Sequence, residues 1–339
     1  MKNEIDSKAP FLEYKEILVT GGTGFVGQRV CRALIARGWL PRLLVRSGSE
    51  GKIPLDVRRQ CRISLGDITD RESVINAAQS TDAIVNLVGV IREFPKKGIT
   101  FEKLHVEGTR NVIAAAKVWK ISRIVHMSAL GALAGSPVPY FDTKGRAEQL
   151  VRESGLEWTL FRPSIVFGEG DKFISMLSKV VRRAPAIPVP GDGRYELQPV
   201  WVGDVARGFA LALTKPEAIG HSFDVGGLER FSYNALLDEI GASVGRSHVR
   251  KLHVPLPLVR TGVRFMSRFE WYPASPDMLA MLTAGSVCET AGFRSVFEDH
   301  LVSLREYLSC SAHGDIGKET LKAPETPEEP ADGKVRSAA

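Results

Sequence analysis

Three residues near the middle of the chain have the types and the spacing to move a proton. Tyr140 and Lys144 are four positions apart, so on a helix both side chains lie on one face. A cation beside a phenol favours the phenolate and lowers its pKa from about 10, which suits Tyr140 to general acid or base catalysis. Ser128, twelve positions before Tyr140, carries a hydroxyl that could orient a substrate carbonyl. An isolated Tyr–Lys pair is common on protein surfaces, so its position in the fold must decide between a catalytic and a surface role.

A glycine-rich loop near the N-terminus has the spacing of a phosphate-binding turn. The stretch Thr20-Gly21-Gly22-Thr23-Gly24-Phe25-Val26-Gly27 joins a predicted strand to a predicted helix. Its first glycine permits a tight turn, the glycine at 24 lets the backbone approach a pyrophosphate, and the glycine at 27 allows close packing of helix on strand. The start of the helix then offers unpaired N–H groups and a positive dipole end to the phosphates. The alternative is a plain turn, in which these glycines would cost helix stability without a compensating role.

The segments around these residues alternate between apolar strands and amphipathic helices. We predict strands at 15–20, 41–47, 61–68, 82–90, 123–129 and 158–167. We predict helices at 24–37, 71–79, 101–119 and 140–154. This alternation indicates right-handed crossover connections, and therefore an α/β Rossmann-type fold with a doubly wound parallel sheet. The carboxyl ends of such strands line the ligand crevice, and Ser128 and the Tyr140–Lys144 pair follow the fifth strand.

The alternation breaks after residue 168, which predicts a second and smaller unit. Residues 15–168 form the Rossmann domain, and residues 200–227 return to it as a short strand, a helix and a further strand. Residues 169–199 and 228–310 form a smaller, mostly helical C-terminal substrate domain. Residues 1–14 are a polar lead-in. Residues 311–339 are dense in Pro, Glu, Ala and Lys, and we predict that they are disordered because they have little apolar surface to bury.

Composition excludes several classes of protein. Hydrophobic residues make up 44% and charged residues 25% of the 339 residues, as in ordinary globular proteins. The longest apolar run, 83–91, has the length of a strand and not of a membrane span. Four cysteines and seven histidines lie scattered along the chain, which predicts no metal site. The formal net charge of +6 suits an anionic ligand or surface, but we find no nucleic-acid-binding module.

The end of the second predicted strand indicates which dinucleotide the loop would hold. Arg46 lies 19 positions after Gly27, where an arginine accommodates a 2′-phosphate and a carboxylate would bind a ribose hydroxyl instead. Ser47 adds a hydrogen-bond donor. We therefore predict NADP(H) as the cofactor, with NAD(H) as the alternative. Arg46 could also be an ordinary solvated arginine.

The glycines follow the pattern Gly-x-x-Gly-x-x-Gly, and here the chain resembles the extended and atypical branches of the short-chain dehydrogenase/reductase superfamily, which is NAD-dependent epimerase/dehydratase-like. The stretches Asn86–Ile91, Phe101–Thr109 and His126–Ala132 resemble the complex I 39 kDa-subunit-like family, in a bacterial form. The resemblance covers about residues 15–310. In this family, members hold NADP(H) as accessory subunits of respiratory complex I, and related forms are linked to quinone biosynthesis.

The resemblance implies further contacts with the cofactor. Gly66-Asp67-Ile68 resembles the turn that contacts adenine, although Asp67 could equally close a turn. Lys144 would hold the nicotinamide ribose, and the backbone after Pro163 would lie along the nicotinamide. The full predicted set of cofactor-binding residues is Gly21, Thr23, Gly24, Phe25, Val26, Gly27, Arg46, Ser47, Asp67, Ile68, Leu87, Val88, Gly89, Tyr140, Lys144 and Pro163.

These residues predict an NADP(H)-dependent oxidoreductase that acts on a quinone-related or other hydrophobic carbonyl substrate. Tyr140 would transfer the proton, Lys144 would tune it, and Ser128 would orient the reacting oxygen. One alternative is a non-catalytic accessory or assembly protein of respiratory complex I or of quinone biosynthesis, with NADP(H) as a structural ligand. A further alternative is an NAD(P)-dependent epimerase or isomerase.

One stretch bears on membrane attachment. Between residues 256 and 271, Arg260, Arg264 and Arg268 recur every fourth position beside apolar residues, which is the form of a basic amphipathic helix. An ordinary half-buried helix with a solvated arginine face would show the same spacing. The N-terminus lacks the features of a secretory or transit segment, so we expect a cytoplasmic location. Peripheral association with the inner membrane, or with a respiratory or quinone-biosynthetic complex, is the alternative.

Overall fold

Seven apolar segments pair side by side into one sheet in the computed structural model, which describes residues 16–297 and 300–312. The strands are β1 Glu16–Thr20, β2 Leu40–Val45, β3 Arg62–Leu65, β4 Ala83–Asn86, β5 Arg123–Met127, β6 Glu157–Pro163, β7 Val166–Phe167, β8 Ile187–Pro190, β9 Glu196–Leu197, β10 Val200–Trp201, β11 His221–Val225, β12 Phe231–Ser232 and β13 Lys251–Val254. The large sheet has the order β3-β2-β1-β4-β5-β6-β11, and every neighbouring pair is parallel. The predicted doubly wound parallel sheet is confirmed.

Helices cover both faces of this sheet because its strands are apolar on both sides. The helices are α1 Phe25–Ile35, α2 Leu55–Arg58, α3 Arg71–Ala78, α4 Gly108–Trp119, α5 Pro139–Arg152, α6 Phe173–Arg183, α7 Val202–Ala212, α8 Tyr233–Ser243, α9 Leu256–Met266, α10 Pro276–Ala284, α11 Ala291–Phe297 and α12 Leu304–Ala312. Side chains alternate along a strand, so in β1 Ile17 and Val19 join the core beneath α1 and α7, whereas Leu18 joins the core beneath α3 and α4. The order of the strands reverses beside β1, which leaves a crevice outside the carboxyl ends of β1 and β4.

The predicted helix 101–119 is continuous but changes its winding. Residues Glu102–Glu107 are π-helical, and the α-helical part, α4, begins at Gly108. Helices seldom take up π-turns, and those that do often lie at functional sites. Here the wider turn carries His105 and Val106, both of which are buried.

A smaller part follows β6, built mainly from helices and from three two-stranded pairs. Strands β7 and β10 pair in parallel, as do β8 and β13, whereas β9 and β12 are antiparallel. Helix α11 belongs to the segment that we assigned to the smaller domain, but it packs on the large sheet. Its Phe293 and Phe297 lie 5.9 and 5.2 Å from Phe161 of β6, measured between ring centroids. The two parts therefore share an aromatic core.

Two of the predicted segments lie at the ends of the chain. The lead-in 1–14 lies outside the described residues, as do residues 313–339 of the tail, while residues 311 and 312 complete α12. Across the described residues, no helix is both long enough and apolar enough to span a membrane.

Candidate functional site

The glycine loop adopts a conformation that larger residues could not follow. Gly21 has a φ of +78°, and a Cβ there would lie 2.9 Å from the carbonyl carbon of Leu87 on the neighbouring strand connection. The N–H of Gly24 donates to Gly21 O over 3.0 Å and closes the turn. At Gly27 a Cβ would lie only 2.2 Å from Gly21 O. The three glycines thus let β1, its turn and α1 pack together, as the spacing predicted.

The N-terminus of α1 is open at the end of this loop. Its N-cap residue is Gly24, which has no side chain to bond the first N–H groups, and its first turn contains no acidic residue. Those N–H groups and the positive end of the helix dipole therefore face outward without a capping acceptor from Gly24. This arrangement fits the phosphates of a dinucleotide.

A cavity of about 250 Å³ lies at the carboxyl ends of β1, β2, β3 and β4. Nine of the predicted cofactor-binding residues line it: Gly21, Thr23, Gly24, Arg46, Asp67, Ile68, Leu87, Val88 and Gly89. The remaining lining residues are not in the predicted cofactor-binding set; they are Thr20, Leu44, Ser49, Gly66, Val90, Ile99 and Leu104. The other seven predicted residues do not line the cavity: Phe25, Val26 and Gly27, which belong to the start of α1, and Ser47, Tyr140, Lys144 and Pro163.

Two charged side chains, Arg46 and Asp67, line the cavity. Arg46 and Ser47 are both exposed in the turn after β2, and of the two only Arg46 lines the cavity. Among the described residues the Arg46 guanidinium makes no ion pair. Asp67 lines the cavity and also closes its own turn, since its Oδ1 accepts from Thr69 N at 2.9 Å and from Thr69 Oγ1 at 2.8 Å. Asp67 therefore closes a turn, and its contact with adenine stays a prediction.

Ser128 and Pro163 lie at the carboxyl ends of the neighbouring strands β5 and β6. The Ser128 N–H donates to Phe161 O at 2.7 Å, and the Leu130 N–H donates to Pro163 O at 3.1 Å, so the β5–β6 pairing continues past the end of β5. Ser128 is buried, yet its Oγ has no hydrogen-bond partner among the described residues. A buried hydroxyl left in this state fits a site that receives a polar group from a ligand.

Tyr140 lies in the first turn of α5, which starts with Pro139 after the extended residue Val138. Its ring meets Phe101, His105 and Phe141 edge-on, with centroids 5.6 to 5.7 Å apart. Only 7% of Tyr140 is exposed, and this burial raises the pKa of its phenol to about 12. The expectation of a lowered pKa was therefore wrong for this structure, because removal of the phenol from water dominates.

Lys144 follows one turn later on the same face, but its ammonium bonds to a backbone oxygen. Its Nζ donates to Met127 O at 3.0 Å. Burial lowers the pKa of Lys144 to about 8, against the attraction of Glu148, which raises it. A Cβ on Gly89 would lie 2.9 Å from Nζ, so the ammonium lies directly against the wall of the cavity.

Helix α5 is held to the sheet by Glu148, which is buried. The Glu148 carboxylate accepts from Arg162 Nε of β6 at 2.7 Å and from Arg152 at 3.4 Å. Because Glu148 follows Lys144 by one turn, this link fixes the register of α5 against β6. The link thereby holds α5, with Tyr140 and Lys144, against the sheet.

His105 is a site residue that the sequence analysis did not single out. Its Nε2 accepts from Val90 N at 3.2 Å, and its Nδ1 lies 2.9 Å from Thr143 Oγ1, which in turn donates to Pro139 O. Burial, and then the nearby Lys144, lower the pKa of His105 to about 2. A neutral His105 therefore joins the π-helical turn, α5 and the cavity wall. The role of His105 depends on tertiary contacts, which a single sequence does not show.

Comparison with known proteins agrees with this geometry. Residues 17–226 match the NAD dependent epimerase/dehydratase family. The mitochondrial NADH dehydrogenase (ubiquinone) 1 alpha subcomplex subunit 9 of Dictyostelium discoideum is 29% identical over 241 residues, which cover 70% of this chain and 66% of that protein. The 2-alkyl-3-oxoalkanoate reductase of Stenotrophomonas maltophilia is 28% identical over 268 residues, covering 70% and 78% respectively.

A solved structure shows the same fold. The UDP-glucose 4-epimerase of Thermotoga maritima superposes with a TM-score of 0.68 at 20% identity, over 88% of this chain and 97% of that one. The chain spans just under two thirds of the length of the Dictyostelium relative, at 66%. The family match covers more than half of the chain and coincides with the parallel sheet and the glycine loop. The chain therefore belongs to the NAD dependent epimerase/dehydratase family, which implies that it binds a nicotinamide cofactor.

Proposed function

We propose that this protein is an NADPH-dependent reductase of hydrophobic carbonyl compounds, with quinone-related compounds among them. The observation that carries the proposal is the apolar enclosure of a protonated Tyr140 next to the cofactor cavity. Val90, Val138 and Met281 complete the enclosure together with the aromatic rings around Tyr140. An apolar enclosure favours substrates that are themselves apolar around the carbonyl group.

The pKa values suit the reducing direction. A phenol with a pKa of about 12 keeps its proton at neutral pH, so Tyr140 Oη can donate that proton to a carbonyl oxygen as negative charge develops there. Ser128 Oγ is free of partners among the described residues and can donate a second hydrogen bond to the same oxygen. Bound NADPH would supply the hydride to the carbonyl carbon. Lys144, against Gly89, would hold the ribose of that cofactor.

Arg46 supports the phosphorylated dinucleotide. Its guanidinium lines the cavity and, among the described residues, has no carboxylate partner to neutralise it. A charge-assisted hydrogen bond to the 2′-phosphate of NADPH would neutralise the Arg46 guanidinium. The Stenotrophomonas relative carries the name of a reductase of an alkyl-substituted oxo acid, which supports an apolar carbonyl substrate here.

The test follows NADPH oxidation against a panel of quinones and long-chain carbonyl compounds, with Tyr140→Phe beside the natural chain. Loss of a general acid should lower kcat by about 10² to 10⁴, while the ring contacts of Tyr140 stay in place. Tyr195→Phe is the matched control, because the hydroxyl of Tyr195 is buried without a partner among the described residues and Tyr195 lies in the smaller part. If Tyr140→Phe keeps full activity, the assigned acid is wrong.

A second candidate is an accessory subunit that holds NADP(H) without turnover. It is favoured by the match to a subunit of the mitochondrial NADH dehydrogenase. Such a protein would co-purify with a respiratory or quinone-making complex, retain stoichiometric nucleotide, and oxidise no NADPH with any substrate of the panel. An epimerase would differ from both, because it would convert substrate with no net consumption of cofactor.

A further inference from the structure

The surface around α9 exposes large apolar side chains. Leu258, Phe265 and Trp271 are 65%, 58% and 71% exposed, and Phe269 is exposed as well. Of the residues of α9 itself, only Val263 is buried. Single exposed apolar residues are ordinary, but a contiguous group usually marks an interaction surface.

These side chains form one face. Leu258 and Phe265 lie two helical turns apart and so on the same side of α9, away from the side that buries Val263. The Phe265 and Phe269 ring centroids are 6.3 Å apart, and Phe269 stacks with Trp271 at 6.1 Å. We use the name α9 face for these side chains and the neighbouring arginines, which are Leu258, Phe265, Phe269 and Trp271 with Arg260, Arg264 and Arg268.

Positive charge borders the apolar side chains. Arg260, Arg264 and Arg268 are exposed, and no acidic residue occurs between Leu256 and Phe269. Among the described residues, none of the three arginines makes an ion pair. The Arg268 guanidinium lies 5.8 Å from the centre of the Phe265 ring. The next carboxylate, Glu270, is already paired with Lys97 at 2.8 Å.

The α9 face is held in place by the loop that follows β4. Arg92 donates to the backbone oxygens of Ser267 at 3.2 Å, Phe269 at 3.3 Å and Tyr272. The aromatic side chains thus project from a backbone that is fixed before any partner binds, which lowers the entropy lost on docking.

We propose that the α9 face docks on the surface of a lipid bilayer that contains anionic phospholipids. Leu, Phe and Trp side chains would enter the boundary between headgroups and acyl chains, and the arginines would pair with phosphate groups. Trp is suited to this boundary because its ring is large and apolar and its N–H is polar. The net charge of +6 adds long-range attraction to an anionic surface. The proposal concerns attachment alone and does not depend on the reaction at Tyr140.

The test is co-sedimentation of the full chain with vesicles of phosphatidylcholine, with and without phosphatidylglycerol. We expect binding to the anionic vesicles, at least tenfold weaker binding to phosphatidylcholine alone, and release by salt. Phe265→Ser with Trp271→Ser, and separately Arg260→Glu with Arg264→Glu, should each lower partitioning at least tenfold. The matched controls are Leu133→Ser and Arg59→Glu, which change exposed residues elsewhere and should bind as the natural chain does. Circular dichroism and the thermal midpoint establish that each variant is folded.

The fluorescence of Trp271 gives a second readout. Anionic vesicles should shift the emission of the natural chain to the blue, and Trp271→Phe should lose most of that shift while it still sediments with the vesicles. No binding to anionic vesicles, or equal binding by the α9-face variants and the natural chain, would overturn the proposal. So would light scattering that shows a dimer which the Phe265→Ser, Trp271→Ser variant abolishes, because the face would then be a contact between protein chains.

Discussion

The buried ammonium of Lys144 makes the protein less stable at neutral pH than it would be with an uncharged side chain. Burial lowers the pKa of Lys144 from 10.5 to about 8, and at 1.36 kcal/mol per pKa unit this difference corresponds to about 3 kcal/mol. Lys144→Met keeps a long unbranched chain but removes the charge. It also removes the hydrogen bond to Met127 O, at a cost of about 1 kcal/mol. We therefore expect the variant to be more stable by about 2 kcal/mol at pH 7.

The sign of this effect depends on pH in a defined window. Below pH 8 the lysine is charged in the folded and the unfolded chain, and the whole penalty is present. Between pH 8 and 10.5 the unfolded chain still binds the proton while the folded chain releases it, so the stability of the natural chain rises with pH. The advantage of Lys144→Met should shrink through this window, and above it the variant should be the less stable by about 1 kcal/mol, the cost of the lost hydrogen bond.

The assay is denaturant unfolding of both proteins at a series of pH values, after bound nucleotide has been removed from both and its absorbance is gone. Removal matters because a ligand that binds only the folded state stabilises it. Lys117→Met, which removes an exposed lysine from α4, provides the baseline for loss of one positive charge. A difference between Lys144→Met and the natural chain that stays constant from pH 7 to pH 11, or one in which the variant is the less stable at pH 7, would refute the reasoning.

Three further substitutions test other parts of the site. Arg46→Asp should weaken NADPH binding about tenfold or more and NADH binding little, measured by fluorescence titration, whereas Arg59→Asp should change neither; equal loss for both nucleotides removes the 2′-phosphate argument. Ser128→Ala should lower kcat while the unfolding midpoint stays unchanged, because its Oγ has no partner among the described residues to lose. Gly27→Ala places a Cβ 2.2 Å from Gly21 O and should lower the thermal midpoint and cofactor affinity together, while Gly51→Ala, with open space around it, should do neither.

The fold and the glycine loop were predictable because their signals are local. The apolar run in β1, the three glycines and the start of α1 are contiguous in sequence, and each constrains its neighbours directly. The start of α3 is set just as locally, since the carboxylate of its N-cap residue Asp70 accepts from Glu72 N and Ser73 N. The fourth strand shows the limit of such signals. Apolar residues continue to 91, but β4 ends at Asn86, because the chain beyond it turns along the crevice and lines the cavity instead of pairing in the sheet.

The electrostatics of Tyr140 could not be predicted in the same way. The spacing of Tyr140 and Lys144 is visible in the sequence, and it correctly places both on α5. The apolar cluster that buries Tyr140 includes Phe101 and Met281 of α10, which are distant from Tyr140 in sequence. The spacing alone suggests a phenolate beside an ammonium. Burial instead raises the pKa of Tyr140 and lowers that of Lys144, so it favours the neutral form of each group.

The loop after β4 joins the two surfaces on which both proposals depend. Val88 and Gly89 line the cofactor cavity, and the Val90 N–H bonds to His105, whose ring packs against Tyr140. Two residues later, Arg92 holds the backbone of the α9 face, because it donates hydrogen bonds to the backbone oxygens of residues 267, 269 and 272. A displacement of that face must therefore either break these hydrogen bonds or move the wall of the cavity. If both proposals hold, one short loop connects the membrane-docking surface with the apolar enclosure of Tyr140, so a substrate dissolved in lipid would meet the reducing site close to the bilayer.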